Sequence, residues 1–144
     1  MKKFNADLYE VRAKAAGGEK ADKWVKGFVL TVNGEPIISA DKIYPIDGNT
    51  ICRPTGKTDS FRRAVYEYDV IESVTVADGK KIVERYLVVR DNDLGGYVLI
   101  SEGGDKCEFD TLGDRLGAGD TDERLFSAID HPEGLTGAQR EYLK

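Results

Sequence analysis

The chain has 144 residues, 40% of them hydrophobic and 33% charged, with 26 Asp/Glu against 21 Lys/Arg and a formal net charge of −5. That balance fits a folded globular chain and excludes a disordered one, and no apolar run is long enough for a transmembrane helix. One histidine and two widely separated cysteines, Cys52 and Cys107, exclude a disulfide framework and the usual metal-ligand sets.

The charge is uneven along the chain. Residues 1–26 hold seven Lys/Arg against four Asp/Glu, residues 27–90 nine against nine, and residues 91–144 five against thirteen. An acidic final third argues against a broad basic surface of the kind that displaces counterions from nucleic acid. The first residues, Met1-Lys2-Lys3-Phe4-Asn5-Ala6-Asp7, have no apolar segment behind the lysines, so no secretory signal is read there and a cytoplasmic location is expected.

Leu8 to Ala15 alternates, with Tyr9, Val11, Ala13 and Ala15 against Glu10, Arg12 and Lys14, which predicts a half-buried strand. Gly17-Gly18-Glu19-Lys20 reads as a polar turn. Lys23 to Val32 is rich in aromatic and β-branched residues and places Trp24, Phe28, Leu30 and Val32 on one side of a second strand. Asn33-Gly34 predicts a type I′ turn, because both central residues must take φ > 0, and Pro36 to Ala40 is the returning strand. Ile43 to Asn49 reads as loop with apolar anchors.

The run from Thr50 to Val76 is the hinge of the reading. It begins β-prone, turns at Arg53-Pro54-Thr55-Gly56, crosses a basic loop and re-enters a strand at Tyr66. Beyond it, Tyr68, Val70, Val74 and Val76 share one side, with Asp69, Ser73 and Thr75 on the other. Asp78-Gly79 predicts a second hairpin turn. Lys81 to Arg90 is apolar on both sides near its end and is expected to lie centrally in a sheet. Tyr97 to Ile100 and Cys107 to Phe109 follow as strands, Gly113 to Asp122 as a surface loop, and Arg124 to Ile129 as a last strand or a helical turn. The segment from Thr136 suits a short helix at most. Many short strands with Gly-containing turns predict an all-β fold, a barrel or sandwich, in one domain.

Motifs with chemistry are few. Gly56-Lys57-Thr58 resembles the end of a phosphate-binding loop, but Ile51 stands where that motif needs its first glycine. Asp91, Asp93, Gly96 and Glu102 match four positions of a twelve-residue calcium loop, yet Gly95 replaces an oxygen ligand and the flanks are strands, so a polar hairpin turn is the reading. Glu67 and Asp69, two apart, could form an acid/base pair on one strand face. His131 has no nucleophile at a meaningful spacing. Neither catalytic, metal-binding nor cofactor-binding residues are assigned. The one local basic cluster with an aromatic is Arg53, Lys57, Phe61, Arg62 and Arg63, a polyanion-binding candidate in which cations grip phosphate while Phe61 stacks on a base.

The order of several blocks resembles the YopX family of small phage- and prophage-encoded proteins. These blocks are Tyr9-Glu10-Val11-Arg12-Ala13-Lys14, Trp24-Val25-Lys26-Gly27, Thr50-Ile51-Cys52, Thr55-Gly56 with its loop, and Tyr66-Glu67-Tyr68-Asp69-Val70-Ile71. The closing run Phe126-Ser127-Ala128-Ile129-Asp130-His131-Pro132-Glu133-Gly134-Leu135 is similar to the family's Gly-Asn-Ile-x-Asp-Asn-Pro-Glu-Leu. Two departures stand out: the family usually has Gly before the aspartate that is Asp69 here, where this chain has Tyr68, and its short Asp-Lys-Asn-Gly-Lys loop is replaced by Lys57 to Arg63. The resemblance implies an SH3-like β-barrel beginning near Asp69 and preceded by N-terminal β-strands, with self-association, and it implies no enzymatic activity. On it the chain is one YopX-like domain over 1–144, made of an N-terminal β subregion (1–49), a barrel-like subregion (50–135) and a tail (136–144). The functional expectation is a non-enzymatic phage-derived accessory protein, binding a phage or host protein or assembling as a homo-oligomer. The alternative is a nucleic-acid-associated accessory protein using the basic loop.

Overall fold

The computed structural model describes residues 10–108 and 121–143. The chain is all-β, with eleven strands among the described residues and one α-helical turn near the end. No helix among them is long and apolar enough to cross a membrane. Two compact units divide at Lys57/Thr58.

The first unit is built on one antiparallel sheet in the order β1 (Val11–Lys14), β2 (Trp24–Val32), β3 (Glu35–Ser39), β4 (Ile43–Pro45). β2 changes partner along its length. Trp24 to Gly27 pair with β1, and Phe28 to Val32 pair with β3. Gly27 marks the changeover, where an added Cβ would stand 2.3 Å from the Ser39 carbonyl oxygen and 2.7 Å from Ile38 Cγ2, so only glycine fits without backbone movement. Asn33 (φ 52°) and Gly34 (φ 81°) make the type I′ turn that their sequence demands. The core is Ala13, Ala15, Val25, Ile38 and Ile46, with Val11, Tyr44 and Ile51 packed around it. The other side of β2 is the aromatic and aliphatic stripe read from the sequence, and its distal part faces solvent. Phe28 is 58% exposed, Leu30 52% and Val32 48%. At the proximal end Trp24 lies under the Arg12 guanidinium, 4.7 Å from the ring centroid, and the Lys14 ammonium, 5.2 Å away.

Arg53 to Gly56 is not the expected turn. Pro54–Thr58 is extended as β5, with Gly56 at φ 82° inside it. A single αL glycine re-aims a strand without reversing it, and Pro54 at the first strand position loses no ladder donor.

The second unit holds β6 (Ala64–Tyr66), followed by a five-stranded antiparallel sheet. Its strands are β7 (Asp69–Ala77), β8 (Lys80–Asp91), β9 (Gly96–Ile100), β10 (Lys106–Glu108) and β11 (Thr121–Ser127), in the order β10-β9-β8-β7-β11. β8 is central, which is why it reads apolar on both sides near its end: Tyr86 and Val88 join Val65, Ile71 and Leu99 on one face, while Leu87 and Val89 join Val70, Val98 and Ile100 on the other. Leu135 and Ala128 close the second face, with Phe126, Tyr142 and Leu143 against it. Asp78 (φ 52°) and Gly79 (φ 74°) form the β7–β8 turn as expected. Arg124 to Ile129 resolves as strand through Ser127, with a register shift at Leu125. Of the loop expected over Gly113 to Asp122, residues 113–120 lie outside the described residues, as do Leu8, Tyr9 and Phe109; Thr121 and Asp122 are already strand.

The resemblance implied a closed SH3-like barrel. The described sheets are open: β10 and β11 end the larger sheet, and β11 meets a loop on its outer side instead of a further strand.

Candidate functional site

The basic loop is organised by an acid. Asp59 is buried, and its carboxylate accepts from the N–H of Phe61 (2.9 Å) and Arg63 (2.9 Å) at Oδ1 and from Arg63 Nε (3.0 Å) and Arg124 N (3.0 Å) at Oδ2. Burial alone would raise its pKa, but these N–H donors, led by Arg124 and then Arg63 and Phe61, outweigh it and hold the carboxyl below its ordinary value. The Asp59 N–H returns to the Arg63 carbonyl and the Arg62 N–H to the Asp59 carbonyl, so residues 59–63 close on themselves with Arg62 at φ 64°.

That closed loop lies along the outer edge of β11. The Ser60 N–H donates to the Asp122 carbonyl and the Asp122 N–H to Ser60 Oγ, both at 2.8 Å. The Arg63 guanidinium donates to the Arg124 carbonyl (2.9 Å) and pairs with Asp59 (3.0 Å) and Glu123 (3.4 Å). Arg124 in turn reaches the Ala64 carbonyl at 2.6 Å. The backbone groups that β11 presents outward at Asp122 and Arg124 are therefore all satisfied by one loop, which blunts an edge that would otherwise recruit another strand.

The five polyanion-binding candidates have unequal situations. Arg53 is exposed just before β5 and Lys57 is half-buried within it, both in the first unit. In the second unit Phe61 is 57% exposed and Arg62 is exposed beside it. Arg63 stacks on Phe61 at 5.6 Å, but its charge is matched by Asp59 and Glu123. The structure thus brings Phe61 and Arg63 together around a carboxylate. Asp59 and Arg124 have no part in the cluster read from the sequence. The one local signal for Asp59 is the turn habit of an Asp whose side chain accepts the N–H two residues on.

Other sequence candidates resolve similarly. Glu67 and Asp69 do not share a strand face. Tyr68 between them is at φ 68° in a turn, and Asp69, fully buried, accepts from the Tyr66 N–H at 2.8 Å. Asp91 accepts from the N–H of Asp93 and Leu94 and from Lys106 Nζ at 2.9 Å, and the lysine contact foremost holds its pKa below the ordinary value. Glu102, twelfth in the calcium pattern, accepts instead from the Arg85 N–H. His131 Nδ1 lies 3.0 Å from Glu133 on the surface, and its ring stands edge-on to Phe126. Gly56-Lys57-Thr58 is strand, so no phosphate cradle forms there. Recesses among the described residues include one of about 270 Å³ lined by Glu84, Arg85, Tyr86, Ser101, Glu102 and Gly103, and another of similar volume lined by residues 17–20 and 42–45.

No family model, no curated protein and no solved structure matches the chain.

Proposed function

We propose that the chain is a non-enzymatic accessory protein of phage or prophage origin, cytoplasmic, acting as a self-assembling or protein-binding module. The observation that carries this reading is apolar surface on two hairpin ends. Phe28, Leu30 and Val32 follow one another along one side of β2, and Val76, Ile82 and Val83 are 41%, 48% and 52% exposed where β7 and β8 approach their turn. Consecutive exposed apolar positions on strands mark surfaces that a partner covers, unlike the scattered single residues of ordinary surfaces. The phage origin draws on the order of the blocks that resemble the YopX family. Light scattering and sedimentation velocity test the module: association that weakens in a Leu30→Asp or Ile82→Asp variant supports it. A wild-type monomer at high concentration that also captures no partner sinks it.

A second reading, association with nucleic acid, draws on the exposed pair Phe61 and Arg62. Gel shifts with single- and double-stranded DNA and RNA over a salt titration decide it. Binding that weakens with salt and drops in a Phe61→Ala/Arg62→Ala variant supports this reading, and the absence of a salt-dependent shift removes it.

A further inference from the structure

Among the described residues, the β9 side of β8 is an open strand edge inside the larger sheet. β8 pairs with β9 only from Asp91 to Leu87, whereas its pairing with β7 continues to Lys80. At Arg85 the departing edge is closed by side chains: its N–H donates to Glu102 Oε1 at 3.1 Å and its carbonyl accepts from Gln139 Nε2 at 3.3 Å. Both backbone groups of Arg85 therefore point away from β7. Alternation along a strand makes Val83 and Lys81 point the same way. Neither has a hydrogen-bond partner on that side among the described residues. Between them Ile82 is 48% exposed, and Val83 itself 52%.

We propose that this edge, Lys80 to Glu84, pairs antiparallel with the same segment of a second copy about a two-fold axis at Ile82. The inference rests on the self-assembly reading and names its interface. The sequence Lys80-Lys81-Ile82-Val83-Glu84 is self-complementary in that register and only there uses the open backbone groups fully. Lys81 faces Val83 of the second copy as a hydrogen-bonded pair, and Val83 faces Lys81, so the outward N–H and C=O of both residues are satisfied on each copy. Ile82 faces Ile82 across the axis as a non-hydrogen-bonded pair, where side chains come closest. Lys80 faces Glu84 of the second copy twice, on the same side as Ile82, so the flanking charges are opposite in sign and close the apolar contact. Sliding the register by two residues one way would put Arg85 in the ladder, where Glu102 and Gln139 already occupy its backbone groups, and the other way would set Lys81 against Lys81 and Val83 against Gly79 of the turn. Charge and hydrogen bonding select the same alignment. The joined sheets would continue across the axis, which removes the open edge in the way an isologous interface requires.

The test is sedimentation equilibrium on the full chain with three variants, each checked for fold by circular dichroism. Lys80→Glu places Glu opposite Glu84 at both ends and is expected to weaken dimerisation about tenfold. Lys80→Glu/Glu84→Lys restores opposite charges and is expected to recover most of that loss. Val83→Pro deletes an N–H that points away from β7, so it leaves the β7–β8 ladder whole while removing the intermolecular bond, and it should give a monomer. Hydrogen exchange at the Lys81 and Val83 amides, slow in concentrated and fast in dilute wild-type protein, is the expected companion result. A wild-type oligomer that persists unchanged in Lys80→Glu and Val83→Pro overturns this interface while leaving self-assembly standing. A wild-type monomer overturns self-assembly itself and leaves the edge to an extended peptide of another protein.

Discussion

Asp59 holds four donors in a buried position, two from the loop it begins, one from the Arg63 side chain and one from β11. Replacing it by Ala leaves those donors facing a void, and Asp59→Ala is expected to lower stability by about 2–4 kcal/mol, read from urea denaturation. Its lowered pKa sets a pH dependence. The contribution is complete above the unfolded carboxyl value, near pH 4, and is lost as pH falls through the lower folded value. Acid titration of unfolding should thus be less steep in Asp59→Asn than in wild type. Tyr68 supplies a second test. It occupies φ 68°, a region costly for any side chain, at the position where the resembled family carries glycine. Tyr68→Ala keeps that strain and removes the ring from the core. Tyr68→Gly removes both, so the Gly variant should be the more stable of the two by about 1 kcal/mol. Local sequence preference reveals neither role. A positive φ under Tyr contradicts local preference, and the donors of Asp59 come from residues up to 65 positions away.

Among elements, the hairpins were the most legible. Asn33-Gly34 and Asp78-Gly79 each need φ > 0 twice, and that demand is met within four residues of sequence, with no help from the rest of the fold. β5 was misread for the converse reason. Pro54 and Gly56 are turn formers locally, yet the segment is extended, with Pro54 at its first position and Gly56 absorbing a positive φ. The short α1 (Gly137–Arg140) shows how little of an element's role its local pattern contains. Its Thr136–Gln139 capping box closes within four residues, whereas Gln139 Nε2 reaches far along the chain to the carbonyls of Ile100 (3.0 Å) and Arg85. Gln139→Ala is expected to destabilise by about 1–2 kcal/mol, with faster amide exchange concentrated where β8 and β9 part. Gly27→Ala should be costlier than any other glycine substitution in the first unit, because the new methyl meets the Ser39 backbone instead of a flexible side chain.

At the scale of the whole molecule, the all-β class followed from alternation and turn spacing, while the open form of the sheets did not. Closure depends on what lies against the last strand, and here a side-chain-rich loop takes that place. Open sheets leave edges, and two of them differ: that of β11 is covered by the 59–63 loop, whereas among the described residues that of β8 from Lys80 to Glu84 has no strand beside it. If copies associate, mass action makes the melting temperature rise with protein concentration, and scanning calorimetry over a dilution series should show it for wild type and lose it for Val83→Pro. The basic loop bears on the same question. Its most buried arginine is matched within the fold, so binding of a polyanion would rest on Arg62 and Phe61, and Arg63→Ala should harm stability more than any such binding.

The position of Gln139 also has a consequence for how the chain is made. Synthesis runs from the N-terminus, so β7, β8 and β9 leave the ribosome before the residue that joins the Arg85 and Ile100 carbonyls exists outside it. Until then the nascent sheet carries a gap next to its open β8 edge, and the apolar face that Leu135, Tyr142 and Leu143 cover is bare. In synthesis order that face closes only after residues 135–143 have emerged, and neighbouring nascent chains on one message would meet while it is still uncovered.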